Sequence, residues 1–145
     1  MKGLAVAGFM LGLIFLWVAI LYEPSQKQEQ QATASAQTFI IYRNAVNAYA
    51  LEHKVEGVIP LEALDLPVGL AAGDFHNQVV RESGELRCYV YGQAGPSVVQ
   101  AVSSLLRGSA AIGRSSQGVL LRDGPDHPLP GFIPSGCVVS VISLH

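Results

Sequence analysis

Two cysteines are the residues of this sequence that could form a covalent cross-link. Cys88 and Cys137 each lie in a predicted strand, on its apolar face. A bond between them would close a loop of about fifty residues, which the chain-entropy model credits with about 4 kcal/mol. The alternative is a pair of buried, reduced thiols that act as small hydrophobic groups. We favour the disulfide for an exported domain, and the lack of a C-x-x-C spacing argues against catalytic redox use.

The other titratable residues form no catalytic or metal-binding pattern. The histidines are far apart and lack zinc spacing: His53, His76, His127 and His145. Asp123, Asp126 and His127 are the one tight group of acids and imidazole, and the glycine and prolines among them indicate a solvated turn. No serine lies in a nucleophile elbow, and residues 113–118 lack the lysine of a phosphate loop. We therefore expect no enzyme, no cofactor, no metal site and no small-molecule substrate.

The elements that position the cysteines are short strands and one short helix. Residues 86–91, 119–122 and 137–143 have the composition and patterning of strands. Gly95-Pro96 opens an amphipathic helix that Arg107 and Gly108 close. Residues 60–84 carry prolines and glycines among short apolar pieces, so that we predict a helical turn and irregular structure there.

A long helix precedes the strands. Its apolar stripe recurs at steps of three and four residues, with Phe39, Tyr42, Val46 and Tyr49 as its large members. In the interpretation that we favour, this stripe packs on the sheet of its own domain; in the alternative, part of it meets a partner helix. The helix is predicted to end near Glu56-Gly57, because Gly57 suits a left-handed cap and Pro60 blocks continuation.

These elements predict an α+β domain in which helices cover one face of a small antiparallel sheet. Residues 38–145 form that domain, and residues 23–37, rich in Gln, Ser, Ala and Thr, form a helical stalk or linker. Basic and acidic side chains are scattered along the chain, whose formal net charge is -2. No electrostatic footprint for nucleic acid is present, and we exclude nucleic acid as a partner.

The amino-terminal segment has the length and composition of a transmembrane helix. Residues 3–22 contain no charge, Asn, Gln or Pro, and about twenty helical residues span the roughly 30 Å of bilayer hydrocarbon. This apolar run exceeds the core of a signal peptide, about 7 to 15 residues. Gly8 and Gly12 form a G-x-x-x-G step at which two anchors can pack, so that self-association is one expectation.

The orientation follows from the positive charge before the anchor. Residues 1–2 carry Lys2 and the free amino group, which favours a cytoplasmic amino terminus. We therefore expect a single-pass protein of the bacterial inner membrane, with its carboxy-terminal domain in the periplasm.

The order of these segments resembles a type IV pilin: a hydrophobic first segment, a proline just beyond it, a long amphipathic helix and a small sheet with two late cysteines. Type IV pilin precursors are cut before a hydrophobic segment whose fifth residue is a glutamate. Here a cut before Phe9 puts Leu13 at that position, and a cut after Gly3 puts Gly8 there. The missing acid argues against a processed major pilin.

The chain as a whole is similar to the PilM family of conjugative-plasmid thin pili. The resemblance rests on the anchor, the length of 145 residues, the segment TFIIYRNAVNAYALEH and the ending GFIPSGCVVSVI. It implies a small, non-enzymatic inner-membrane component of the type IVb pilus assembly or pilin-export apparatus that supports conjugation, with other pilus subunits as partners. The alternative is a minor pilin-like subunit incorporated into the fibre.

Overall fold

The computed structural model describes the backbone of residues 2–70, 72–122 and 125–144, and the side chains of Trp17 and of residues 26–144 within those ranges. The chain divides into two compact units, Met1–Ala32 and Thr33–His145. Helix α1 (Lys2–His53) begins in the first unit and ends in the second. The other elements follow in the second unit: α2 (Pro96–Leu105) and the strands β1 (Phe75–Glu82), β2 (Glu85–Gln93), β3 (Ile112–Ser116), β4 (Val119–Leu121), β5 (His127–Pro128) and β6 (Cys137–Leu144).

The described backbone of the first unit is helical from Lys2 onwards. The predicted membrane anchor and its Gly8 and Gly12 depend on side chains and packing that lie outside the described residues, and they stay predictions. Within the described part of the chain, no helix combines the length and the hydropathy that a bilayer crossing needs.

The strands form one antiparallel sheet in the order β1-β2-β6-β3-β4-β5. The last strand of the sequence, β6, therefore lies inside the sheet between β2 and β3. With two helices and six strands among the described residues, the predicted α+β class is confirmed.

The main core lies between α1 and one face of the sheet. Ala36, Phe39, Tyr42, Val46 and Ala50 follow each other at steps of three and four residues and are all buried in it. The sheet contributes the alternate residues of its strands, among them Val79, Cys88 and Val90, because successive side chains point to opposite faces. Val102 of α2 completes this core.

The other face of the sheet has a second, smaller core without a helix. Tyr89, Leu120 and Val139 project from the strands, and Leu129 and Ile133 of the segment before β6 cover them. The sheet is therefore covered by helices on one face and by a loop on the other.

The segment after α1 covers the free edge of β1. Gly57 and Val79 exchange two backbone hydrogen bonds of 2.8 Å. Beside them, the Ile59 amide donates to Asn77 Oδ1 at 2.7 Å, and Asn77 Nδ2 donates to the Ile59 carbonyl at 2.9 Å. The buried side chain of Asn77 thus makes hydrogen bonds of the kind that a neighbouring strand would make. These bonds protect the edge of β1 from pairing with other chains.

The end of α1 differs from prediction, and the strands β1, β3 and β5 were not predicted. Helix α1 ends at His53 and not at Glu56-Gly57, because Lys54 takes a left-handed φ of 47°. Strand β1 occupies residues that we predicted as irregular, and β3 occupies a stretch of small residues to which we assigned no element. Both sequences lack the apolar alternation that is typical of a strand. They are strands because they pair with β2 and β6, and such long-range pairing is not visible in the local sequence.

Candidate interaction surface on the first helix

The aromatic stripe of α1 faces the sheet of its own domain. Phe39, Tyr42 and Val46 are buried, and the Phe39 ring meets the Phe75 ring edge-on at a centroid distance of 5.3 Å. The Tyr42 hydroxyl accepts a hydrogen bond of 2.7 Å from Asn77 Nδ2, and burial raises the pKa of this phenol. Tyr49 is half-buried against the same core. The geometry agrees with core packing of Phe39, Tyr42 and Val46, which leaves these three side chains unavailable to a partner helix.

Arg43 is the one charged residue of α1 between positions 30 and 51, and it turns toward the sheet. Its Nε donates to Ser140 Oγ of β6 at 2.6 Å, and its Nη1 donates to Asn44 Oδ1 at 3.1 Å. Burial lowers the pKa of the guanidinium below its ordinary value. The guanidinium of Arg43 therefore bonds both to β6 and to Asn44 of the helix itself.

The opposite face of α1 is exposed and uncharged. Its members recur at steps of three and four residues: Ala34, Gln37, Ile41, Asn44, Ala48 and Leu51. We call these six residues the outer face. Ile41 is 38% exposed and Leu51 is 47% exposed. A helix face that meets only water normally carries charged side chains, whereas the centre of a protein interface is depleted of them.

Small and amide side chains give the outer face the features of a helix-packing surface. Ala34 and Ala48 leave room for a close approach of another backbone. Gln37 and the Nδ2 group of Asn44 can form hydrogen bonds with a partner that has amides or carbonyls. The sequence signal for this face is the absence of charge at its six positions, which recur at steps of three and four residues. The more apolar stripe on the opposite side of the helix obscured that signal.

The structure corrects the predicted disulfide. Cys88 and Cys137 are both buried, free thiols. In the register of the sheet Cys88 lies opposite Ile142 and Cys137 lies opposite Gln93, so that five residue steps separate the cysteines along the β2-β6 pair. An odd number of steps puts them on opposite faces: Cys88 belongs to the core under α1, and Cys137 to the second core. No bond between them can form across the sheet.

The titratable residues of the second sheet face form a small network. Glu82 accepts a hydrogen bond of 2.9 Å from Arg87 Nη1 and another of 2.9 Å from the Tyr89 hydroxyl. Burial is the main cause that raises the pKa of Tyr89 to about 12, and the Glu82 carboxylate is the second cause. This phenol therefore stays protonated at neutral pH and acts as a hydrogen-bond donor that holds Glu82 in place.

His127 joins β5 to this region. Burial lowers its pKa, and the neighbouring Arg87 and Arg122 lower it further. The lowered pKa favours the neutral imidazole at pH 7, and among the described residues Nε2 has no hydrogen-bond partner. Asp126 beside it is exposed, and Asp123 lies outside the described residues. Within the ranges described, no group of three or more His, Cys, Asp or Glu could hold a metal ion.

Comparisons with known proteins bear on the whole chain. The crystal structure of the protein PilM from Escherichia coli B7A has a similar fold, with a TM-score of 0.58 and 24% identity; the alignment covers 79% of this chain and 94% of that one. A search of curated proteins gave no match. The family model for PilM matches residues 10–141, which is most of the sequence. The chain therefore belongs to the PilM family, a membership that associates it with a plasmid pilus system.

Proposed function

We propose that the protein is a non-enzymatic inner-membrane component of the type IVb, or thin, pilus assembly or pilin-export apparatus, and that it supports conjugation. Its partner is another subunit of that apparatus, which docks on the outer face of α1. The family supports a pilus role, and the uncharged run of residues 3–22 supports a membrane anchor.

The outer face is the observation that carries this proposal. It belongs to the same continuous helix as the apolar amino-terminal run, Lys2–His53. The six side chains of this face, from Ala34 to Leu51, are uncharged, which suits a helix of similar character.

Complementation of a deletion strain tests the proposal. The variant Ile41→Glu with Ala48→Glu places two charges on the outer face without touching the core. We expect plasmid transfer in liquid mating and assembly of thin pili to fall at least about tenfold, because charges buried at an interface without partners are strongly unfavourable.

The matched control is Gln100→Glu with Ser104→Glu, which adds the same two charges at exposed positions of α2. This control should transfer the plasmid like the wild type. Equal transfer by the outer-face variant, at equal protein level, would overturn docking through α1.

A second candidate is a minor pilin-like subunit that enters the fibre. One observation favours it: a long amino-terminal helix packed on an antiparallel sheet is the layout that made the sequence resemble a pilin. Intact-mass measurement of the native protein separates the two functions. The anchor function predicts a chain that retains its first residues, and the fibre function predicts removal of the leader by a prepilin peptidase.

A further inference from the structure

Arg43 carries a positive charge beside the outer face, and no described carboxylate neutralises it. The side chain is half-buried and forms no ion pair with a described residue. Residues 30–51 of α1 contain no Asp or Glu. The same is true of α2 and β6, which contribute to the same core. The domain therefore holds this cation without supplying its counter-charge.

Two hydrogen bonds fix the guanidinium of Arg43 in its place. Nε donates to Ser140 Oγ of β6 at 2.6 Å, and Nη1 donates to Asn44 Oδ1 at 3.1 Å. A guanidinium has five N–H groups, so that three of them have no acceptor among the described residues. Because the side chain is tied both to the sheet and to α1, these free N–H groups stay next to the outer face.

The bond from Arg43 also orients the amide of Asn44, which is an exposed member of the outer face. Its Oδ1 is occupied by the guanidinium, whereas its Nδ2 has no acceptor among the described residues. The middle of the outer face therefore offers hydrogen-bond donors and a positive charge, while its nearest side-chain acceptor is already in use.

The shape of the outer face fits a helix. From position 33 to position 51, the exposed side chains of α1 are the six of the outer face, and all the others are half-buried or buried. The six follow each other at alternating steps of three and four, a mean period of about 3.5 residues, which is the period of a seam between two helices. Ala34 and Ala48 leave room for a close approach, so that another α-helix can lie along this seam.

A helix that docks there must supply an acceptor for these donors. Docking removes water from Arg43 and Asn44, and a buried donor without an acceptor is unfavourable, above all when it belongs to a charged group. The backbone carbonyls of the docked helix are engaged in its own hydrogen bonds, so that the acceptor has to be a side chain. A hydroxyl or an amide oxygen would satisfy the donors but leave the charge of Arg43, whereas a carboxylate satisfies both.

We propose that the subunit that docks on the outer face presents an Asp or Glu of one of its helices to Arg43 and Asn44. The carboxylate accepts hydrogen bonds from the guanidinium and from Asn44 Nδ2, and it neutralises the charge of Arg43. These two residues then select the partner, whereas the small and aliphatic members of the outer face supply contact area. Recognition by a carboxylate rests on the proposed function, which supplies the docked subunit.

Photocrosslinking of two variants with opposite charge tests this recognition. With a photoreactive amino acid at Ala48, the wild-type chain in conjugating cells should give a product with another pilus subunit. Asn44→Asp should lower the yield of that product at least about tenfold, because the new carboxylate pairs with Arg43 and repels the carboxylate of the partner. Asn44→Lys should keep at least about half of the yield, because its ammonium attracts the same carboxylate.

The two variants are matched, since each adds one charge at the same exposed position and only the sign differs. Equal losses of product in the two variants would overturn recognition by a carboxylate, because the burial of any charge would then explain them. A wild-type yield in Asn44→Asp, or a greater loss in Asn44→Lys, would overturn it as well.

Replacement of Arg43 itself gives a second measurement. Arg43→Gln should lower the yield of the product more than Arg43→Lys does, because only lysine keeps the positive charge. The yields are compared at equal protein level, and thermal unfolding of both purified variants checks that they are folded. The opposite order in folded variants would overturn recognition by a carboxylate.

The wild-type result separates this recognition from the proposed function. Absence of a product from Ala48 in the wild type would overturn docking on the outer face, and the carboxylate with it. A wild-type product that Asn44→Asp and Asn44→Lys change equally would leave the docking in place and overturn only the carboxylate.

Discussion

Asn77 shows how one buried side chain can secure a whole segment. Its amide makes three hydrogen bonds, to the Ile59 amide, the Ile59 carbonyl and the Tyr42 hydroxyl. The segment after α1, the helix itself and strand β1 therefore meet at a single residue. Each of the three partner groups would be left buried without a partner if the amide were removed.

We expect Asn77→Ala to lower the free energy of unfolding by at least about 2 kcal/mol, since unpaired buried polar groups cost more than a lost bond contributes. Urea unfolding followed by circular dichroism measures this. Gln78→Ala, on the opposite face of β1, is the control and should change the free energy by less than about 1 kcal/mol. Equal effects of the two variants would contradict the role of Asn77.

The two thiols give a second prediction at this scale. Alkylation of the denatured protein without a reducing agent should add two groups per chain, because Cys88 and Cys137 lie on opposite faces of the sheet. Alkylation of the folded protein should be slow, since both thiols are buried and burial raises the pKa of Cys88 to about 12. A chain that takes up no reagent until it is reduced would contain the disulfide after all.

The raised pKa of Cys88 also predicts how stability depends on pH. The thiol titrates near its ordinary value of 9.0 when unfolded and at about 12 when folded. Its contribution to stability is therefore complete below about pH 9 and is lost as the pH rises toward 12. In Cys88→Ala the free energy of unfolding should fall less steeply over this window. An unchanged slope would contradict the assignment.

Among the elements, α1, α2, β2, β4 and β6 were predictable and β1, β3 and β5 were not. The first group carries its own signal: a stripe at helical spacing, a Gly-Pro start, or a dense run of Val and Ile. Strand β1 begins Phe-His-Asn-Gln, and β3 reads Ile-Gly-Arg-Ser-Ser. Both segments are strands because they pair with partners that are distant in sequence, and local β propensity does not predict such pairing.

Dependence on long-range pairing also limited what the sequence could predict about the candidate site. The sequence placed Phe39 and Tyr42 on an inward stripe, as the structure has them. It placed both cysteines on apolar faces, which is also correct, but both faces of this sheet are apolar. Only the register distinguishes one face from the other, and one residue step reverses it.

Gly113 lies where β3 approaches β4 closely. A Cβ atom at this position would lie about 2.2 Å from the Leu121 carbonyl oxygen, so that β3 and β4 approach too closely for any side chain. The two strands can therefore lie this close only because residue 113 has no side chain.

Gly113→Ala should lower the free energy of unfolding by about 1–3 kcal/mol, because the backbone of β4 has to move. Thermal unfolding of the full chain in detergent measures the change. Gly131→Ala is the matched control, since a Cβ atom there meets nothing within 4 Å. A tolerated Gly113→Ala would mean that β3 and β4 lie farther apart than described.

At the scale of the whole molecule, the two faces of α1 have different roles. The inward face is filled by the sheet, and the outer face is the proposed docking site of another pilus subunit. This division makes the account testable, because a change on the outer face should leave the contacts of the inward face intact.

Site-specific photocrosslinking in conjugating cells tests the central claim most directly. A photoreactive amino acid at Ala48, in the middle of the outer face, should give a cross-linked product with another subunit of the pilus apparatus. The same group at Val46, which is fully buried, should give no product with any other chain. Absence of a product from Ala48, or the same product from both positions, would contradict docking through the outer face of α1.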